Sequence, residues 1–298
     1  MPDPQASRLV DDWTAGAQRP WLQAERWVLL LTILGALLRG FKLGANSLWV
    51  DEYATLKIVS LPFSEILGAA AEVNFCPPLY FWSVHAVISA IGVSEASLRL
   101  VSAVAGALTV PVTWRLTREL TGSRTAGVLA AALLALNPLH IWYSQEARAY
   151  ALLVALGATA LLFLVRALRS NAAAHWGGFI GCMTAVLLTH TTGPVLLVVG
   201  WGWVFLSRPN LALLRKFLLA TIVTVLIWLP FALRITVAVG GADGTHSPPR
   251  PLTGLELPYT LFTYLVGYSF GPSTREIQNQ GPVAALAGHP IESVIGAI

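Results

Sequence analysis

Charge is what this chain has least of. Asp, Glu, Lys and Arg make up 11% of its 298 residues, whereas a soluble domain carries about a quarter. With 55% apolar residues and a mean hydropathy of +0.66, that scarcity excludes an ordinary soluble domain and points to the polytopic membrane class. Cysteine is scarce too: Cys76 and Cys182 cannot build a disulfide framework and have no metal-ligand spacing. A basic stripe is also lacking. The isoelectric point is 9.3, but the cations sit at the ends of apolar segments, as topology determinants do, so no nucleic-acid partner is expected. The Leu/Ala/Val runs lack the alternation of barrel strands. Only helices or closed barrels satisfy the backbone in lipid, so the expected fold is all-α, a polytopic helical membrane protein. There is no repeat of fixed period and no low-complexity tract. The first 27 residues show neither a basic leader nor a cleavage site before the apolar run, which reads as an uncleaved first span.

What is present is a series of apolar segments. Membrane spans need roughly 17–25 apolar residues, and candidates fall at 27–44, 98–116, 125–140, 149–166, two shorter passes within 176–206, and 217–239. Residues 1–26 read as a cytoplasmic N-terminal segment and 27–298 as one transmembrane domain whose first outer loop is 45–96. In that loop, short helices are expected at 52–60 and 64–73, the second capped by Ser64. The segment 79–92 is apolar but short, and reads as juxtamembrane or re-entrant. Arg115, Arg118 and Arg124, then Arg166 and Arg169, then Arg208, Arg215 and Lys216 mark three gaps as cytoplasmic by the positive-inside rule. Asp51-Glu52, Pro77-Pro78, residues 140–150, His190 and the loop 240–256 then share the outer face, and a last apolar stretch follows at 257–270.

Carboxylates beside a hydrocarbon layer are costly, so a chain that keeps them there uses them. Asp51 reads either as a cap on a helix starting at Glu52 or, with Glu52, as a general base or metal ligand at the membrane surface. Glu146 and Arg148 are expected to open a helix. On such a helix Tyr143, Glu146 and Tyr150 share one face, while Ser144 and Arg148 share another. A guanidinium at headgroup level suits a phosphate, though a surface charge pair worth about 0–1 kcal/mol is the plainer reading. Arg39 lies near the outer end of the first span, where it either snorkels or meets a carboxylate or lipid phosphate. His85, His140 and His190 are isolated and form no zinc motif.

Four stretches carry a resemblance: Ser47-Leu48-Trp49-Val50-Asp51-Glu52, Pro77-Pro78-Leu79-Tyr80, Ser94-Glu95-Ala96-Ser97-Leu98-Arg99-Leu100, and Tyr143-Ser144-Gln145-Glu146-Ala147-Arg148. In order and spacing they resemble the C-type membrane glycosyltransferases, in the group of protein mannosyltransferases and aminoarabinose transferases. Gly267–Ser273 is similar to a later segment of bacterial members. The resemblance implies inverting transfer of a sugar from a polyprenyl-phosphate donor to a lipid, glycan or protein acceptor, at the outer face of the inner membrane. It implies Asp51 as base, Glu52 as its support or a contact to sugar or ion, and Arg148 on the departing phosphate. Glu146 would position the substrate, with Arg39, Tyr143, Tyr150 and His190 as further binding residues. A divalent metal is left open, with Asp51, Glu52 or Glu146 as its ligands. The chain departs from the pattern at Cys76, where relatives often carry His or Lys before the Pro-Pro pair. Relatives also continue further, which implies a C-terminally truncated chain. The alternative is a non-catalytic transporter or lipid-handling protein, which would place polar groups on broken helices near the membrane centre and often shows a paired repeat.

Overall fold

The computed structural model describes residues 24–74, 76–241, 284 and 287–289. The N-terminal segment through residue 23, the expected outer loop beyond 241, the apolar stretch 257–270 and the Gly267–Ser273 motif lie outside them. Between 24 and 241 the chain forms eleven helices: α1 (24–40), α2 (Val50–Val59), α3 (Phe63–Asn74), α4 (Leu79–Ile91), α5 (Glu95–Thr121), α6 (Arg124–Leu136), α7 (Pro138–Ser144), α8 (Tyr150–Ser170), α9 (Ala173–Leu187), α10 (Gly193–Ser207) and α11 (Leu211–Gly241). The fold is all-α, as the composition requires.

Local chemistry sets the boundaries. Leu61-Pro62 separates α2 from α3, and Pro77-Pro78 precedes α4. Gly92, at φ +86°, ends α4, and Gly122, at φ +72°, ends α5; the left-handed region suits glycine at helix ends. Ser94 and Ser123 cap α5 and α6 by accepting the Ser97 and Ala126 amides. Two expected caps differ. Helix α2 starts at Val50 with Trp49 as its N-cap, so Asp51 is a first-turn residue and caps nothing. Helix α3 starts at Phe63, one residue before Ser64.

Helix α5 is the centre, packed against α4, α6, α7 and α8. Its buried face is small and weakly polar (Ser102, Ala103, Ala105, Gly106, Ala107, Thr109), and α8 does the same toward α9, α10 and α11, where Gly157 lies against Leu196 and Ala160 and Ala167 pack with Phe179, Met183 and Phe217. Lipid gives apolar side chains no preference for one another, so such small residues hold membrane helices together through close backbone approach. Helices α5, α8 and α11 are long and apolar enough to cross a membrane. The expected span 125–140 is instead two helices, α6 and α7, meeting at 59°. The break falls at Asn137-Pro138 because proline cannot supply the amide that would continue α6. Helix α4, with 13 residues, and α9 and α10, with 15 each, are shorter apolar helices.

Candidate active site

The four stretches singled out in the sequence, far apart in the chain, meet through two hydrogen-bonded junctions. At the first, Glu52 is fully buried in α2. Its Oε1 accepts Arg99 Nε–H and the Ala147 amide, both at 2.8 Å, and its Oε2 accepts Arg99 Nη2–H at 2.7 Å and the Trp49 amide at 3.4 Å. Arg99 in turn donates to the carbonyls of Leu43, Asn46 and Ser47. At the second, Ser102 Oγ–H donates to the Arg148 carbonyl at 2.9 Å, which leaves the Tyr80 hydroxyl as donor to Ser102 Oγ at 3.0 Å. Gln145 Nε2 donates to the carbonyls of Leu38 and Phe41 at the end of α1. The segment 145–149 is thereby held from three sides.

That segment is not helical, which corrects the expectation that Glu146 and Arg148 open a helix. Helix α8 begins two residues later, at Tyr150. The segment is tied instead to distant elements: Glu52 of α2 takes the Ala147 amide and Ser102 of α5 donates to the Arg148 carbonyl. Tyr143 and Tyr150 still meet, edge to face, with centroids 4.8 Å apart, and Tyr150 lies 5.4 Å from the His190 ring.

Thr55, Cys76, Tyr80, Phe81, Arg148, Ala149, Tyr150 and His190 line a pocket between α2, α4 and the start of α8. The Arg148 guanidinium stands 5.9 Å from the Tyr150 ring centre and 3.9 Å from Asp51 Oδ2, beyond hydrogen-bond reach. Its side chain is 14% exposed and Asp51's is 45% exposed. Among the described residues, no hydrogen-bond acceptor engages the Arg148 guanidinium. Its charge is felt throughout the pocket. Burial, and then Arg148, push the His190 imidazole below its ordinary range. The Thr192 amide donates to His190 Nδ1 at 3.2 Å, so the neutral ring carries its proton on Nε2. Burial raises the Cys76 thiol, with Arg148 and the Thr191 backbone opposing it. Glu146 accepts the Trp142 indole N–H at 2.6 Å. Burial raises its carboxyl, against that hydrogen bond, while the charges of Glu52 and Asp51 add to the rise and Arg148 opposes it.

Two expected site residues do other work. Glu52 is closed off from substrate or ion by its four donors. Burial would raise its carboxyl, but the Arg99 and backbone hydrogen bonds outweigh that and hold it below its ordinary value. Arg39 is fully buried. It donates to the carbonyls of Gly35, Ala135 and Leu134 at 2.9–3.1 Å and to His140 Nδ1 at 2.8 Å. The Leu134 and Ala135 carbonyls lie at the end of α6, where Pro138 withholds the next amide and Leu134 has only the Asn137 amide, at 3.3 Å. Arg39 is therefore a splint across the broken span. Gly106 makes room for it, since a Cβ there would stand 3.0 Å from Arg39 Nε and 2.7 Å from Ser144 Cβ.

For a metal, the donor set is thin. Among the described residues no three His, Cys, Asp or Glu side chains group as ligands, and Glu52's oxygens are occupied. Asp51 and Glu146 are the carboxylates left to hold an ion.

Residues 76–233, just over half of the chain, match the family of dolichyl-phosphate-mannose-protein mannosyltransferases. The chain belongs to that family. No curated protein sequence matches this mannosyltransferase-family chain. The solved structures similar to it include two of known source. One is ArnT from Cupriavidus metallidurans in the apo state, with 18% identity, a TM-score of 0.60, and coverage of 93% of this chain and 56% of that one. The other is the S. cerevisiae protein O-mannosyltransferase complex bound to the sugar donor, with 18% identity, a TM-score of 0.52, and coverage of 84% and 35%. At such identity they speak for the fold. This chain spans about half of ArnT and about a third of the yeast chain. Family membership and the long apolar helices together make it an integral membrane protein.

Within this family member, sequence reasoning missed Thr55, Phe81 and Ala149 at the pocket and the partners Arg99 and Ser102. Thr55 was within reach: it lies one turn from Asp51, on the same face of α2. Arg99 had a signal as well, since a cation at the head of an apolar helix needs a counter-charge.

Proposed function

We propose that this chain transfers a sugar from a polyprenyl-phosphate donor to a hydroxyl of a lipid, glycan or protein acceptor, with inversion, at the outer face of the inner membrane. The observation that carries the reading is Arg148, a largely buried guanidinium on the pocket wall that no acceptor among the described residues engages by a hydrogen bond, 3.9 Å from the accessible carboxylate of Asp51. Family membership supports the reaction class.

In the reaction, the acceptor oxygen bonds to the anomeric carbon as the bond from that carbon to the phosphate oxygen breaks. Asp51 takes the acceptor's proton, and the bonding pair leaves with the phosphate. Positive charge fixed where that pair arrives favours the transition state over the ground state. Arg148 suits this because its planar fork matches two phosphate oxygens. Tyr143, Tyr150 and His190 supply a wall for the sugar, and Glu146, held by Trp142, hydrogen-bonds a sugar hydroxyl. A divalent ion, where one is used, would be held by Asp51 and Glu146 and would add charge beside the leaving phosphate.

The test is transfer of radiolabelled mannose from polyprenyl-phosphate mannose by purified protein in native lipid, with a membrane extract as acceptor source. Removal of a general base costs about 10²–10⁴-fold, so Asp51→Asn is expected to lose at least the lower figure in kcat. Undiminished transfer by Asp51→Asn removes the base assignment. Unchanged binding of polyprenyl phosphate by Arg148→Ala removes the phosphate role.

A further inference from the structure

The other end of α5 carries cations that the reaction does not use. Arg115 and Arg118 both stand over the indole of Trp114, each guanidinium carbon 5.4 Å from the ring centre. Trp114 is 6% exposed and packs with Val28 of α1, Val110 of α5, and Ala131 and Ala135 of α6. Gly127 of α6 presses on it, since a Cβ there would stand 2.8 Å from a ring carbon. The indole is thus a fixed platform clamped by three helices. A guanidinium stacked on an aromatic face keeps its edge donors free for a planar or tetrahedral oxyanion.

Among the described residues those donors meet no carboxylate. Glu119, one residue beyond Arg118, is bound by Arg166 at 3.1 Å and by Arg169 at 3.0 Å. Among the described residues no acidic side chain pairs with Arg115 or Arg118. Arg115 lies sixteen positions beyond Arg99 on one continuous helix, about 24 Å along its axis at 1.5 Å per residue. That distance separates it from the pocket and approaches the thickness of a hydrocarbon layer, about 30 Å. Exposed apolar side chains accompany the cations at this end: Leu120 is 41% exposed, and Trp27, next to the packed Val28, is 59% exposed. Free phosphate and a lipid phosphodiester both match the guanidinium chemistry, but only a lipid also meets exposed Trp and Leu.

We propose that the Arg115–Trp114–Arg118 face binds the phosphodiester headgroup of an anionic phospholipid. The occupant is a structural lipid at the end of the bundle away from Arg148, independent of the transfer reaction.

The experiment is native mass spectrometry of the full chain released from micelles containing equal phosphatidylglycerol and phosphatidylcholine. Wild type is expected to retain phosphatidylglycerol in preference by roughly tenfold, two cations facing one anionic headgroup. Arg115→Gln/Arg118→Gln is expected to lose that preference, while Arg124→Gln, at the same end but off the indole, keeps it. Equal retention of the two lipids by wild type overturns the proposal, and this comparison does not depend on a variant folding. A preference unchanged in the double variant also overturns it. So does full displacement of phosphatidylglycerol by millimolar inorganic phosphate, which would assign the face to a soluble anion.

Discussion

Asp51 and Glu52 are neighbours in sequence with opposite surroundings, one side chain 45% exposed and the other 1%. One helical step turns Glu52 into the protein, where Arg99 and two backbone amides take its lone pairs, and leaves Asp51 accessible, 3.9 Å from Arg148. Breaking a buried pair by removing one partner costs about 3–5 kcal/mol, so Glu52→Gln is expected to lower the unfolding midpoint in detergent far more than Asp51→Asn does. A Glu52→Gln protein as stable as wild type would show the junction to be dispensable. The pH dependence follows from the same contacts. The folded carboxyl of Glu52 lies below its ordinary 4.5. The unfolded state therefore binds the proton first, and the stabilisation is complete above about pH 4.5 and lost as pH falls through the folded value. Thermal melts from neutral to acid pH should show this loss in wild type and a flatter curve in Glu52→Gln. At Arg148, lysine keeps the charge and loses the fork, so Arg148→Lys is expected to raise KM for the donor about tenfold or more, read from initial rates. The acidic pair was visible in the sequence; its division of labour was not. The partners that separate the two roles lie 47 and 95 residues away, beyond any local pattern.

Among the elements, most boundaries were legible because proline, glycine and serine punctuate them: Pro62, Pro77-Pro78, Gly92, Ser94, Gly122 and Ser123. The broken span was not. Residues on both sides of Asn137-Pro138 are apolar enough that 124–144 still averages as one span, so hydropathy passes over the break. The same blindness made 145–149 look helical, since spacing alone says nothing of an amide already taken by α2. Arg39 belongs to this scale. It completes the carbonyl end of α6, while Asn137 caps α7 by accepting the His140 amide at 2.7 Å. Together they fix the angle at which α7 delivers residues 143–148 to the pocket. Arg39→Met takes the donor from the Ala135 carbonyl and from His140 Nδ1, while the Leu134 carbonyl keeps the Asn137 amide; at about 1–3 kcal/mol for each group left unmade, a loss of about 3 kcal/mol in unfolding free energy is expected, with weaker donor binding as residues 143–148 shift. Denaturant titration in detergent and a polyprenyl-phosphate binding curve check the two parts. Intact donor affinity in a folded Arg39→Met protein would mean that the angle does not matter to the site.

At the scale of the whole molecule, scarce charge announced a membrane protein and the lack of strand alternation in its apolar runs left helices as the architecture. Four weak stretches also carried the family, and the structure explains why they work only as a set: each supplies one side of a shared pair of junctions. Sidedness is a property of this scale too. The proposed reading puts Asp51 and Glu146 outside and the Arg166/Arg169 end inside. Single cysteines at 51, 146 and 169, placed after Cys76 and Cys182 are replaced, report it with a membrane-impermeant thiol reagent on intact cells. Labelling at 51 and 146, with 169 reached only after permeabilisation, is expected. Opposite sidedness of 51 and 146 would separate the two carboxylates and end the shared-site reading.

The Glu52 junction also imposes an order on synthesis. A ribosome finishes Glu52 long before Arg99, and Arg99 long before Ala147, so a nascent chain holds a carboxylate whose partners do not yet exist. Until they emerge that side chain must stay hydrated, and α2 must wait in water beside a bundle still being threaded. Chains arrested between residues 100 and 147 should therefore expose α2 to proteases that the finished protein resists. The Glu52 junction is thus a completion signal: it is whole only when Ala147, the last of its partners in the chain, has arrived.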